Sequence, residues 1–123
     1  MKKIAHISDV HIKKTPSRYD EYMFVFENLI ESLKEVKPYR IVITGDLVHD
    51  YLDLQTEQLI TANWLLDSLS KIAPVRLIRG NHDCRKKNIK RVDSIKALVK
   101  TSNNPNIVYY DSTDLFDDGD IVW

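Results

Sequence analysis

The chain has 123 residues, with 18 lysines and arginines against 18 aspartates and glutamates, so its formal net charge is zero. That length allows one small domain with a real core, and the balance leaves nucleic-acid affinity to local patches. A lone cysteine, Cys84, excludes an internal disulfide and fits a reducing compartment, and no apolar run is long enough to span a bilayer.

Lys3 to Ser8 reads as a first strand, with Ile4, His6 and Ser8 on one side and Ala5, Ile7 and Asp9 on the other. His11 to Arg18 is a loop broken by Pro16 and Ser17. A helix follows from about Tyr19 to Lys37, its inner stripe Tyr22, Val25, Phe26, Leu29, Leu33 and Val36, stopped by Pro38. Arg40 to Thr44 is apolar and β-branched, as a strand covered on both faces should be. A second helix spans about Asp53 to Ile72, with Asp53 as N-cap and Leu59, Ala62, Leu65, Leu66 and Leu69 as its buried stripe.

Pro74 to Ile78 is the third strand, and a third helix covers about Lys90 to Thr101, with Ile95, Leu98 and Val99 inward. Ile107 to Tyr110 is a fourth strand, and Leu115-Phe116 pairs with Ile121-Val122-Trp123 across a Gly-containing turn, Asp117 to Asp120. Alternating strands and helices predict an α/β fold with a mostly parallel sheet and right-handed crossovers. The abrupt stop at Trp123, inside a strand-like run, reads as one part of a larger domain.

Three strand ends carry the chemistry. The first delivers Asp9 and His11, the second Gly45-Asp46 with His49 three residues later, and the third Gly80-Asn81-His82-Asp83. The C-terminal edge of a parallel sheet is where ligands bind. Asp9 and His11, two apart, can share one side of an extended chain. Asp46 has two oxygens and can bridge two ions, Asn81 offers a neutral amide oxygen, and His82 can donate a proton. Such ligands suit a pair of divalent ions about 3.5–4 Å apart that clamps a phosphoryl group and activates water. Mixed oxygen and nitrogen donors fit Mn²⁺, Mg²⁺, Fe²⁺ or Zn²⁺. Singly, each residue is explained as a turn, a cap or a polar strand side chain; jointly, three tips in order point to a metal site. His6, inside the strand, and Cys84, with no base beside it, read as structural.

These motifs resemble the first three of the calcineurin-like metallophosphoesterases. "HISDVHI", followed by Arg18 and Asp20, and then "GDLVHD" with His49, resembles the SbcD-type DNA nucleases, which act in double-strand-break repair and phage recombination beside SMC-like ATPases of the SbcC type. The resemblance covers most of Met1 to Asp83. It implies the N-terminal part of a β-sandwich flanked by helices, residues 1–123 being a truncated metallophosphoesterase domain. It implies two divalent ions, Mn²⁺ first among them, with Asp9 and His11 on one, Asp46 bridging and Asn81 on the other. His82 would protonate the leaving oxygen and His49 would position the scissile phosphate. The family's later histidines, including a Gly-His-x-His motif, have no counterpart after His82.

Arg85, Lys86 and Lys87, with Lys90 and Arg91, form the densest positive run, equally suited to holding DNA phosphates and to a solvated loop. The second and third helices resemble the family's homodimer-forming region, though core packing explains Trp64 and the leucines as well. The expected activity is metal-dependent hydrolysis of DNA by an intracellular exo- or endonuclease. The alternatives are a phosphoesterase of small nucleotides or phosphoproteins, and a non-catalytic scaffold docked on the ATPase.

Overall fold

The computed structural model describes residues 1–49, 54–80 and 93–123. Four strands, β1 (Ile4–Ile7), β2 (Arg40–Ile43), β3 (Val75–Ile78) and β4 (Ile107–Tyr110), form one parallel sheet in the order β1-β2-β3-β4. Ile41 lies between Ala5 and Val75 in register, and Val75 between Ile41 and Ile107. Three helices connect them: α1 (Tyr19–Val36), α2 (Thr56–Ser70) and α3 (Ser94–Ser102). Sequential strand order with right-handed crossovers puts all three helices on one face. Burial agrees. Ile41, Ile43, Val75, Leu77 and Ile107 pack with Phe26, Ile30 and Leu33 of α1, Leu65, Leu66 and Leu69 of α2, and Ile95 and Leu98 of α3.

Each helix has a local reason for its bounds. Proline at the start of a 3-10 turn, Pro16–Arg18, leads into α1, and Lys37 ends it in the left-handed region, its N–H bonded to Leu33 O. The buried stripe of α1 is Phe26, Ile30 and Leu33, whereas Val25 is 58% exposed and Val36 44% exposed. The expected stripe was therefore rotated: i, i+4, i+7 from Phe26 meets the sheet, and Val25 and Val36 fall on the shoulder. Helix α2 starts at Thr56 with Gln55 as cap, and the Gln55 and Gln58 side chains satisfy each other's backbone N–H groups. Asp53, the expected cap, lies outside the described residues. Leu59 is 37% exposed, and Gln58 takes the buried position instead. Asp93 caps α3, accepting from the Lys96 N–H at 2.7 Å.

The other face of the sheet carries a small antiparallel hairpin, β5 (Asp117–Asp118) and β6 (Ile121–Val122). Its register differs from expectation. Asp117 and Asp118 are strand residues, paired with Val122 and Ile121, and the turn is only Gly119-Asp120, with Gly119 at φ 71°. Phe116 and Trp123 add a further pair of backbone hydrogen bonds, while Leu115 is exposed. The fold is thus the expected parallel α/β layer. The described residues supply one sheet of a sandwich and this hairpin, not a second full sheet.

The hairpin is held electrostatically. Asp118, buried, accepts from Arg40 Nε at 2.8 Å, Arg76 Nε at 2.8 Å and Trp123 Nε1 at 2.9 Å. Hydrogen bonds from Arg40 and then Arg76 hold its carboxyl far below the usual carboxylate range, against the opposing effect of burial. Tyr110 stacks on Phe116 with ring centroids 4.1 Å apart, and Tyr109 donates its hydroxyl to Asp93 at 2.6 Å from the helix-covered side. Tyr109, Phe116 and Trp123 are therefore only partly exposed. The exposed apolar side chains include Ile4, Ile78, Leu115 and Val122 instead.

Candidate metal centre

At the C-terminal edge of the sheet the chain bends sharply. Among the described residues, five non-glycine residues have positive φ: Asp9, His11, Lys37, Asp46 and Asn103. Lys37 and Asn103 are helix C-caps, where that conformation is common. The other three, Asp9, His11 and Asp46, are the candidate ligands among the described residues, at φ 55°, 49° and 53°. Such backbone costs of order 1–3 kcal/mol at each residue and persists where the surroundings enforce it. Contrary to expectation, Asp9 and His11 therefore do not share a side of an extended strand. β1 ends at Ile7, and at both residues the backbone is left-handed, with the side chains turned toward Asp46.

The result is convergence. One ligand atom each from Asp9, His11 and Asp46 lies within 4.8 Å of the other two. His11 Nε2 is 3.6 Å from Asp9 Oδ1 and 3.9 Å from Asp46 Oδ2. Asp46 is buried, and the Asp9 side chain is 67% exposed, so the cluster opens to solvent on one side. Ser8 Oγ donates to Asp9 Oδ2. Two carboxylates and an imidazole at this spacing fit a hard or borderline divalent cation.

Two glycines make the approach of β2 to β3 tight enough. A Cβ on Gly45 would stand 2.3 Å from the Gly80 nitrogen, and one on Gly80 would stand 2.0 Å from Asp46 Oδ1. Gly45 also has φ 99°, which any side chain would strain. The bare backbone of Gly80 thus forms a wall of the Asp46 carboxylate site. Asn81 follows it directly in the chain, but Asn81, His82 and Asp83 lie outside the described residues, as do Arg85, Lys86 and Lys87.

His49 stands beside the cluster. Its Nδ1 is 3.2 Å from His11 Nδ1, and the rings meet edge to face at 5.3 Å. Since His11 turns Nε2 toward the two carboxylates, Nδ1 is left for His49. His6 points elsewhere, its Nε2 2.8 Å from Thr44 Oγ1, in keeping with a structural reading. A groove of about 540 Å³ between α1 and α2, lined by Lys34, Trp64 and Lys71 among others, lies apart from this cluster and includes none of its ligands.

Sequence reasoning missed the residues that shape the loop: Gln58 and Tyr22, and the contact that makes Gly80 necessary. Gln58 had a detectable signal. It sits four residues before Ala62 and seven before Leu65, a polar residue in the phase of an apolar stripe.

The motif residues, their order on successive strand tips and their convergence agree with a family match over residues 2–122, to the calcineurin-like phosphoesterases. The chain belongs to that family. The calcineurin-like phosphoesterases point to metal-dependent hydrolysis of phosphoesters, and the Asp9, His11 and Asp46 cluster offers a site for a divalent ion. The chain is also 37% identical, over 128 aligned positions, to a protein of Acanthamoeba polyphaga mimivirus described as uncharacterized. That alignment covers 100% of this chain and 9% of the viral protein, so the chain spans about a tenth of its relative's length. Among the described residues, no helix is long and apolar enough to cross a membrane.

Proposed function

We propose that this chain supplies the first half of a dinuclear phosphoesterase centre and that its substrate is DNA. The observation that carries the metal reading is the convergence of Asp9, His11 and Asp46, all three on left-handed backbone, at the ends of β1 and β2. Bound divalent ions supply Lewis-acid stabilisation of the phosphoryl group and a water nucleophile of lowered pKa. This chain's residues do the rest. Asp9, His11, Asp46 and Asn81 would hold the ions. His49 fixes the orientation of His11 and contacts the scissile phosphate, and His82 delivers a proton to the leaving oxygen.

The nuclease reading is supported by residue pattern. "HISDVHI" with Arg18 and Asp20, and "GDLVHD" with His49, resemble the SbcD type, for which an SMC-like ATPase is the partner. The Arg85, Lys86 and Lys87 run supplies positive charge just past the third tip for the DNA backbone. Mn²⁺ is the ion proposed.

The test uses the gene product that contains this chain, with Mn²⁺, on linear DNA, a small phosphodiester and a small phosphomonoester. Wild type should hydrolyse both diesters, and Asp46→Ala should lose both activities together with most bound metal. Turnover confined to monoesters would replace the nuclease by a small-substrate phosphatase. No turnover with metal retained would favour a scaffold.

A further inference from the structure

The loop that aims His11 has all of its backbone groups from the His11 N–H to the Lys13 N–H accounted for, and two of the partners are side chains of helices. His11 N donates to Asp46 O at 2.9 Å and Ile12 N to Leu47 O at 3.0 Å, continuing the β1–β2 ladder past the strand ends. Tyr22 of α1 donates its hydroxyl to His11 O and accepts from Lys13 N, both at 3.1 Å. The Ile12 carbonyl accepts twice, from His49 N at 3.1 Å and from Gln58 Nε2 at 2.8 Å. One carbonyl therefore joins the His11 loop, the His49 loop and helix α2.

Gln58 is fully buried. A buried amide costs free energy unless its donor and acceptor are both used. Its Oε1 accepts from Gln55 N at 3.0 Å, which is the capping role. That role needs only an acceptor and leaves Nε2 over. Nε2 goes to Ile12 O, next in the chain to a ligand held at φ 49°. Strained backbone of this kind relaxes unless neighbours over-determine it. We propose that Gln58, assisted by Tyr22, is a positioning residue of the metal centre: it holds the left-handed bend at His11 that turns Nε2 toward Asp46. The inference rests on the metal reading of the Asp9, His11 and Asp46 cluster.

The experiment titrates Mn²⁺ alone into the chain and follows the His11 ring signals by NMR in the metal-free protein. Wild type, Gln58→Met, Tyr22→Phe and Leu66→Ala are compared at a temperature where circular dichroism shows each folded. Met nearly matches Gln in shape and removes both bonds; Phe keeps the stack on Phe26, where the rings lie 5.8 Å apart. Leu66→Ala lowers stability from a fully buried core position eight residues along α2 from Gln58. Gln58→Met should weaken Mn²⁺ binding by about tenfold, the low end for outer partners of metal ligands. Tyr22→Phe should weaken it less, both should shift the His11 signals, and Leu66→Ala should leave affinity unchanged. Unchanged affinity in folded Gln58→Met, or an equal loss in Leu66→Ala, overturns the proposal. If Gln58→Met does not fold, Tyr22→Phe decides: unchanged affinity and unmoved His11 signals overturn it. Wild type that binds no Mn²⁺ instead overturns the metal reading itself, and the inference with it.

Discussion

At the scale of single residues, the centre is an exercise in forcing short side chains together. Asp9, His11 and Asp46 sit in left-handed backbone that their types tolerate but do not favour. What makes the crowding feasible is the absence of a side chain at Gly80. Its missing Cβ leaves room for Asp46 Oδ1, which would otherwise be 2.0 Å away. Gly80→Ala should therefore displace the Asp46 carboxylate and lower Mn²⁺ affinity by at least about tenfold, in the range seen when a ligand's support is lost. Calorimetric titration checks this, and wild-type affinity would show that Asp46 is not a ligand. Gly45 and Gly80 were legible in the sequence as members of the strand-end motifs. That Gly80 matters to the residue opposite it was not, because such contacts depend on how two strands approach.

At the scale of elements, the strands were the easiest to read. Runs such as Arg40 to Thr44 are short, apolar and β-branched, and their ends carry polar residues in order. Helix phase was harder. Val25 and Phe26 are adjacent and both apolar, so either could begin a stripe, and packing on the sheet selects Phe26. Gln58 was passed over because glutamine usually marks a solvated face; its partner, the Ile12 carbonyl, is 46 residues away. The hairpin slipped in register because Asp117 and Asp118 look like turn residues. Asp118 is instead a buried anion between two arginines on neighbouring strands.

That anchor gives a prediction at the same scale. Asp118→Ala should cost about 3–5 kcal/mol, since two guanidiniums lose their common buried partner. Denaturant unfolding measures it, and a loss within experimental error would make the cluster incidental. The sign of the pH dependence follows from the lowered carboxyl. Its stabilisation is complete above the unfolded-state value, roughly pH 4. It then fades as pH falls toward the lower folded-state value. The wild-type protein should lose stability below about pH 4 more steeply than Asp118→Ala does.

For the molecule as a whole, the arrangement separates two jobs. Helices cover one face of the sheet, the Asp118 latch holds the hairpin on the other, and the C-terminal edge of β1 and β2 is left for chemistry. This matches the rule that ligands of open α/β sheets bind beyond the carboxyl ends of the strands. The central claim is that Asp9, His11 and Asp46 ligate a divalent ion at that edge. The most direct measurement is an anomalous difference map from a crystal of the chain grown with Mn²⁺. A peak within bonding distance of His11 Nε2 and of a carboxylate oxygen from both Asp9 and Asp46 is the predicted result. A saturating Mn²⁺ concentration that leaves this edge without a peak, or a peak bound by other residues, would contradict it.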